Sequence, residues 1–117
     1  MRSMRRDDAA ALPRTLTAAG VQREITLHVH RRSYIRSEIT VENLIEVLEH
    51  WVARGIRYDE SDRPSMTHLG WIEHGGSQRL MRVAVSMDDQ RITTAFADTP
   101  ATEKLLTSAT HQTTWLP

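Results

Sequence analysis

Hydrophobic positions along the chain fall into two periods. From Val41 onward, Val41, Leu44, Ile45, Leu48, Trp51 and Val52 recur at helical spacing, with Glu42, Glu46 and Glu49 on the opposite side. This predicts a helix from Val41 to about Ala53, with Thr40 as its N-cap and Gly55 just past its end. The charged stretch from Arg57 to Pro64 reads as a surface connection.

The second half alternates. Met66–His74, Gln78–Met87 and Arg91–Ala97 are separated by Gly75-Gly76 and by Asp88-Asp89-Gln90, which predicts a meander of antiparallel strands. Met81, Val83, Val85 and Met87 share one face of the middle strand, and Ile92, Thr94 and Phe96 one face of the last. These faces are the expected floor for the helix stripe. Thr99-Pro100 has the form of an N-cap followed by a first-turn proline, so a closing helix is expected over residues 100–108. Residues 109–117 read as a tail.

Ahead of the main helix the pattern is ambiguous. Residues 1–22 mix charge with alanine and threonine around Pro13 and Gly20, and read as a tail or short helix. Ile25, Leu27 and Val29 alternate with Thr26, His28 and His30, which favours a strand to about Val29 followed by a turn. His28, Arg32 and Arg36 also stand four apart, the spacing of one helix face. The expected whole is one α+β domain over residues 23–108, a main helix on a three- to four-stranded antiparallel sheet, with a short C-terminal helix.

Composition narrows the chemistry. The 117 residues suit one core, and 39% hydrophobic with 26% charged residues is ordinary for a globular domain. No apolar run approaches a membrane span and no apolar signal core follows Met1–Arg6, so a cytoplasmic protein with no membrane partner is expected. Without cysteine there is no thiol nucleophile and no thiolate metal site. Phosphate-loop, serine-nucleophile and zinc-protease motifs are absent from the chain. No cofactor or metal is expected, because a His28/His30 pair on a strand lacks a third ligand nearby.

Net charge is zero, but eight Arg face four acids in residues 1–40, and two Arg face six acids in residues 41–62. Arginine supplies 14 of the 15 basic residues, which fits a phosphate-reading surface, with a genome rich in Arg codons as the plainer explanation. RNA cleavage without a metal needs a base for the 2′-hydroxyl, an acid for the leaving oxygen and cations for the phosphorane. His28, His30, Arg31, Arg32 and Arg36 supply those groups, and His68, His74, Arg79 and Arg82 on the meander could complete a cleft. A solvated basic turn carrying two surface histidines is the plainer alternative.

The order His28, Arg32, Arg36, Ile39-Thr40, helix, Arg79-Leu80-Met81-Arg82-Val83-Ala84-Val85, turn, Arg91-Ile92-Thr93-Thr94-Ala95-Phe96 resembles small toxin-like domains of the barnase, EndoU, colicin and RelE ribonuclease superfamily. The resemblance covers about residues 28–97. It implies a curved antiparallel sheet with RNA on its concave face, metal-independent cleavage, a helix around His28 and a cognate inhibitor protein. Its implied site residues are His28, Arg32, Arg36, Arg82 and Thr94, with His30 as substitute for His28. On this reading His28 or His30 is the general base, the other or His68 the acid, and Arg32, Arg36 and Arg82 brace the phosphate. The rival readings are a non-catalytic protein-binding or assembly module using the open sheet face or an edge strand, and a small-ligand domain on that face.

Overall fold

A computed structural model describes residues 12–105. These residues form an α+β fold, with a four-stranded antiparallel sheet, a two-stranded hairpin and three helical segments among them.

The hairpin comes first, as β1 (Thr15–Ala18) and β2 (Val21–Glu24) joined through Ala19 and Gly20, both at positive φ. Residues 15–22 are therefore strand and turn rather than tail or helix; residues 1–11 lie outside the described residues. The next segment is a correction too. Leu27–Ser33 is a helix, α1, so Ile25 and Val29 reach the core while Leu27 is 62% exposed. The alternation around His28 was coincidental, since one helical turn also returns Val29 to the side of Ile25.

Helix α2 (Val41–Glu49) starts where expected, with Thr40 Oγ1 accepting from the Asn43 N–H at 3.1 Å. It ends four residues earlier than its apolar stripe suggested. Trp51 and Val52 instead open strand β3 (Trp51–Tyr58), which also contains Gly55 and the start of the expected surface connection. β4 (Pro64–His74), β5 (Ser77–Ser86) and β6 (Ile92–Ala97) follow as the expected meander, giving the order β3-β4-β5-β6. Residues 99–105 are helical and named α3 here; the rest of the expected 100–108 helix and the 109–117 tail are not described.

Residues opposite one another in an antiparallel pair share a face, so the register sorts the sheet. Ile72, Met81, Val83, Val85, Ile92 and Ala95 fall on one face and join Leu16, Ala18, Ile25, Val29, Ile39, Leu44, Val47 and Leu48 in a single buried cluster. A register shift in the β5–β6 pairing after Ala84 puts Ile92 opposite Val85 on this face, while Thr94, opposite Ala84, and Phe96, opposite Arg82, lie on the other. The three were expected together; the extra residue of the bulge separates them. The backbone of β4 approaches α2 tightly at Gly70, where a Cβ would sit 3.0 Å from Val47 Cα. None of the described core residues comes from β3.

Candidate functional site

The residues expected to form one site are divided by the sheet. His68 pairs with Val83 and so lies on the covered face, 5% exposed, its Nδ1–H donating to the Val83 carbonyl at 3.2 Å. Arg82 and Thr94 are on the opposite, open face. His28, His30 and Arg32 belong to α1, whose Val29 is buried in the covered-face cluster; Arg36 lies just beyond that helix. His28 and Arg36 are exposed, while His30 and Arg32 are half-buried. Two positions apart on a helix, His28 and His30 stand about 200° apart rather than side by side.

What does assemble is a groove of about 390 Å³ on the open face, lined by Arg57, Ser65, Thr67, Arg82, Thr94 and Phe96, among others. Two of the expected residues, Arg82 and Thr94, meet there. No histidine lines it. Two carboxylates line it. Asp59 accepts through Oδ1 from the Ser61 and Arg63 N–H groups, each at 2.8 Å. Asp98 is engaged through both oxygens: Oδ2 accepts from Arg82 Nε at 3.0 Å and pairs with Nη2 at 2.9 Å, while Oδ1 accepts from the Ala101 N–H at 3.0 Å and so caps α3. Burial alone would raise the Asp98 pKa, but the Ala101 N–H and the Arg82 guanidinium outweigh it and hold the carboxyl below its ordinary value. A carboxylate so held neither gives nor takes a proton readily near neutrality. His68 is shifted the other way for a base: burial, reinforced by the charges of Arg54 and Arg23, lowers its pKa and keeps the imidazole neutral. Among the described residues no group of His, Asp or Glu has the geometry to hold a metal ion.

The two edges of the sheet differ sharply. Along β6, Ile25 bridges to Ile92, the Thr26 N–H donates to the Ile92 carbonyl at 3.1 Å, and the Ala97 N–H donates to Glu38 Oε2 at 3.2 Å. Glu38, only 6% exposed, thus serves as a backbone acceptor at the far end of that edge. At the other side, all eight residues of β3 are exposed and no described strand pairs with its outer side. About half the backbone N–H and C=O groups of an edge strand point away from its neighbour.

Four large apolar side chains accompany that open backbone: Trp51, Val52, Ile56 and Tyr58, from 39% to 67% exposed. Arg54 lies over the Trp51 ring at 4.3 Å from its centroid. Sequence reasoning missed this strand because Trp51 and Val52 continue the stripe of α2; their β-branched and aromatic character, continued by Ile56 and Tyr58 in alternation with Arg57, was the available signal.

Comparison with family models, with curated proteins and with solved structures finds no match to this chain. No helix among the described residues is long and apolar enough to cross a membrane.

Proposed function

We propose that this domain is a non-catalytic protein-binding module that receives an extended segment of another chain along β3. The observation that carries this reading is the contrast between the edges: β6 is closed by Ile25, Thr26 and Glu38, whereas β3 is exposed over its full length. Proteins ordinarily blunt such an edge with short strands, bulges or covering segments, because unpaired N–H and C=O groups recruit strands from other chains. Here the bulge lies only at the start of β3, between Trp51 and Ala53, and the following residues pair regularly with β4. In strand addition the main-chain bonds supply affinity, and alternate side chains of the added strand supply specificity.

The test is partner capture on the wild-type chain and on the V52K/I56K variant, in which two exposed apolar residues of the edge become lysine. A partner held by wild type, lost by the variant and protecting β3 amides from exchange supports the reading. Equal retention with unchanged β3 amides contradicts it.

A second reading keeps one specific observation. Arg82 and Thr94 share the open-face groove with Arg57, so a metal-independent ribonuclease of bacterial toxin type, with RNA as substrate and a cognate inhibitor, would bind phosphate there. It lacks an imidazole within reach, since His68 is beneath the sheet and His28 and His30 are on α1. Total RNA incubated with the chain in excess EDTA should stay intact; cleavage abolished by R82A would reinstate this reading.

A further inference from the structure

Register places four small residues in one line across the open face. Gly55 is opposite Thr67, Thr67 opposite Ala84 and Ala84 opposite Thr94, so the line crosses all four strands. With strands about 4.8 Å apart it is roughly 14 Å long. Larger side chains flank it. On one side Arg57 is opposite Ser65; on the other Leu69 is opposite Arg82, and Arg82 opposite Phe96. A low line between taller walls makes two hollows, the groove of about 390 Å³ described above and a second of about 280 Å³ beside β3. Arg57, Thr67 and Arg82 line both, so the two form one trough. A Cβ added at Gly55 would meet nothing within 4 Å, which leaves the β3 end of the trough open.

The polar groups around the trough are unequally engaged. Arg82 is held by Asp98, and Arg54 lies over the Trp51 ring. Arg57 is in no ion pair among the described residues. Thr67 is only 6% exposed although it belongs to the uncovered face, because it forms the floor. Among the described residues its hydroxyl and that of Thr94 take part in no hydrogen bond. A free guanidinium and free hydroxyls around one hollow are a donor set for an oxyanion. Three arginines against Asp59 and Asp98 leave the lining with one net positive charge. That is too little to gather a polyanion, whose binding grows with the number of phosphates neutralised. It suits a ligand carrying a single negative charge, placed at Arg57. Leu69, Ala84 and Phe96 supply apolar surface for the body of such a ligand.

We propose that the trough is a binding site for a small aromatic monocarboxylate, its carboxylate meeting Arg57 and the Thr67 hydroxyl while its ring lies over Ala84 against Phe96. Guanidinium binds carboxylate through paired N–H donors, and such charge-assisted bonds are about twice as strong as neutral ones. Ring contact with Phe96 adds the attraction of an aromatic pair. The larger hollow falls in the range of small-molecule sites, roughly 300–1,000 Å³. This site lies beside the edge that receives a strand and does not depend on it.

The experiment is titration of the full chain with naphthalene carboxylate, followed by amide chemical shifts, with the neutral naphthalene carboxamide as its twin and inorganic phosphate as a competitor. The expected result is saturable binding with Kd at or below about 1 mM, shifts at the Thr67, Ala84 and Thr94 amides, and binding of the carboxamide weaker by at least about tenfold. R57Q, at an exposed position, should weaken carboxylate binding by a similar factor. T67V keeps the shape of the floor and should weaken it about threefold or more, whereas R31Q on α1 should bind as wild type. Absence of saturable shifts, equal binding of carboxylate and carboxamide, or binding that R57Q leaves unchanged overturns the proposal. Shifts confined to the covered face do so too. Displacement of the carboxylate by phosphate at equal concentration would assign the trough to phosphoryl groups, overturn the proposal and favour the RNA reading. Strand addition stands or falls separately, on partner capture by the V52K/I56K variant.

Discussion

Gly70 offers a quantitative check on the packing that covers one face of the sheet and leaves β3 outside it. In Gly70→Ala the new Cβ would lie 3.0 Å from Val47 Cα and 3.3 Å from Val47 Cβ and Cγ1. The first of these is helix backbone, so relief requires α2 to move as a body by several tenths of an ångström. Overpacking of this kind costs about 1–3 kcal/mol, partly offset by about 0.5–1 kcal/mol from replacing glycine within a regular element. The expected net loss is about 1–2 kcal/mol, or a fall in Tm of roughly 4–10 °C for a domain of this size. Gly55 supplies the control on the neighbouring strand, because a Cβ there meets nothing within 4 Å and its φ is not in the left-handed region. Gly55→Ala should be neutral or slightly stabilising. Thermal and urea unfolding of the two variants beside wild type decide the matter. Equal stability of the two variants would refute the close approach of α2 to β4.

Two further predictions concern groups with shifted pKa values. Asp98→Ala removes the partner of a guanidinium that is 19% exposed and the cap of α3 at once, and should cost roughly 3 kcal/mol by urea unfolding. With its folded pKa depressed, Asp98 contributes stability that is complete above its unfolded value, about 3.9, and is lost as pH falls through the lower folded value. His68 also has a depressed folded pKa. Its contribution is complete above about pH 6.5 and declines as the pH falls toward the folded value, because the unfolded state takes up the proton first. The urea midpoint should therefore drop between pH 7 and pH 5, and His68→Leu should flatten that slope whatever its effect on absolute stability.

The meander was legible in the sequence because each of its signals was local. Gly75 and Gly76 both sit at positive φ in the turn where they were expected, and Met81, Val83 and Val85 alternate onto the core face. The errors arose where two periods overlapped. Leu44 and Leu48 are followed by Trp51 and Val52 at helical spacing, yet the helix stops at Glu49 and the next two residues extend. Ile25, Leu27 and Val29 satisfy alternation, yet only the first and third are buried, as one helical turn allows. The β1–β2 turn was invisible because Ala19, at φ 53°, is not a residue type that announces a left-handed conformation.

The candidate site was harder to see, for a physical reason. Whether a strand is central or at an edge depends on which other segments pair with it, and no property of Trp51–Tyr58 alone reports that neighbour. Likewise, His68 and Arg82 reach opposite faces through the register of β4 with β5, so their common proximity to the meander did not make them neighbours. Arg54 and Arg57 fall in a stretch where acids outnumber arginines, so the sequence did not set them apart, and only the register with β4 places them on the outermost strand.

Amide hydrogen exchange on the isolated monomeric chain tests the open edge most directly. The account predicts alternating behaviour along β3, with outward-facing amides exchanging at nearly unprotected rates, while the Thr26 and Ala97 amides, bonded to Ile92 and Glu38, are slow. Uniform protection of Trp51–Tyr58 in the monomer would mean that the edge is already occupied, and would contradict it.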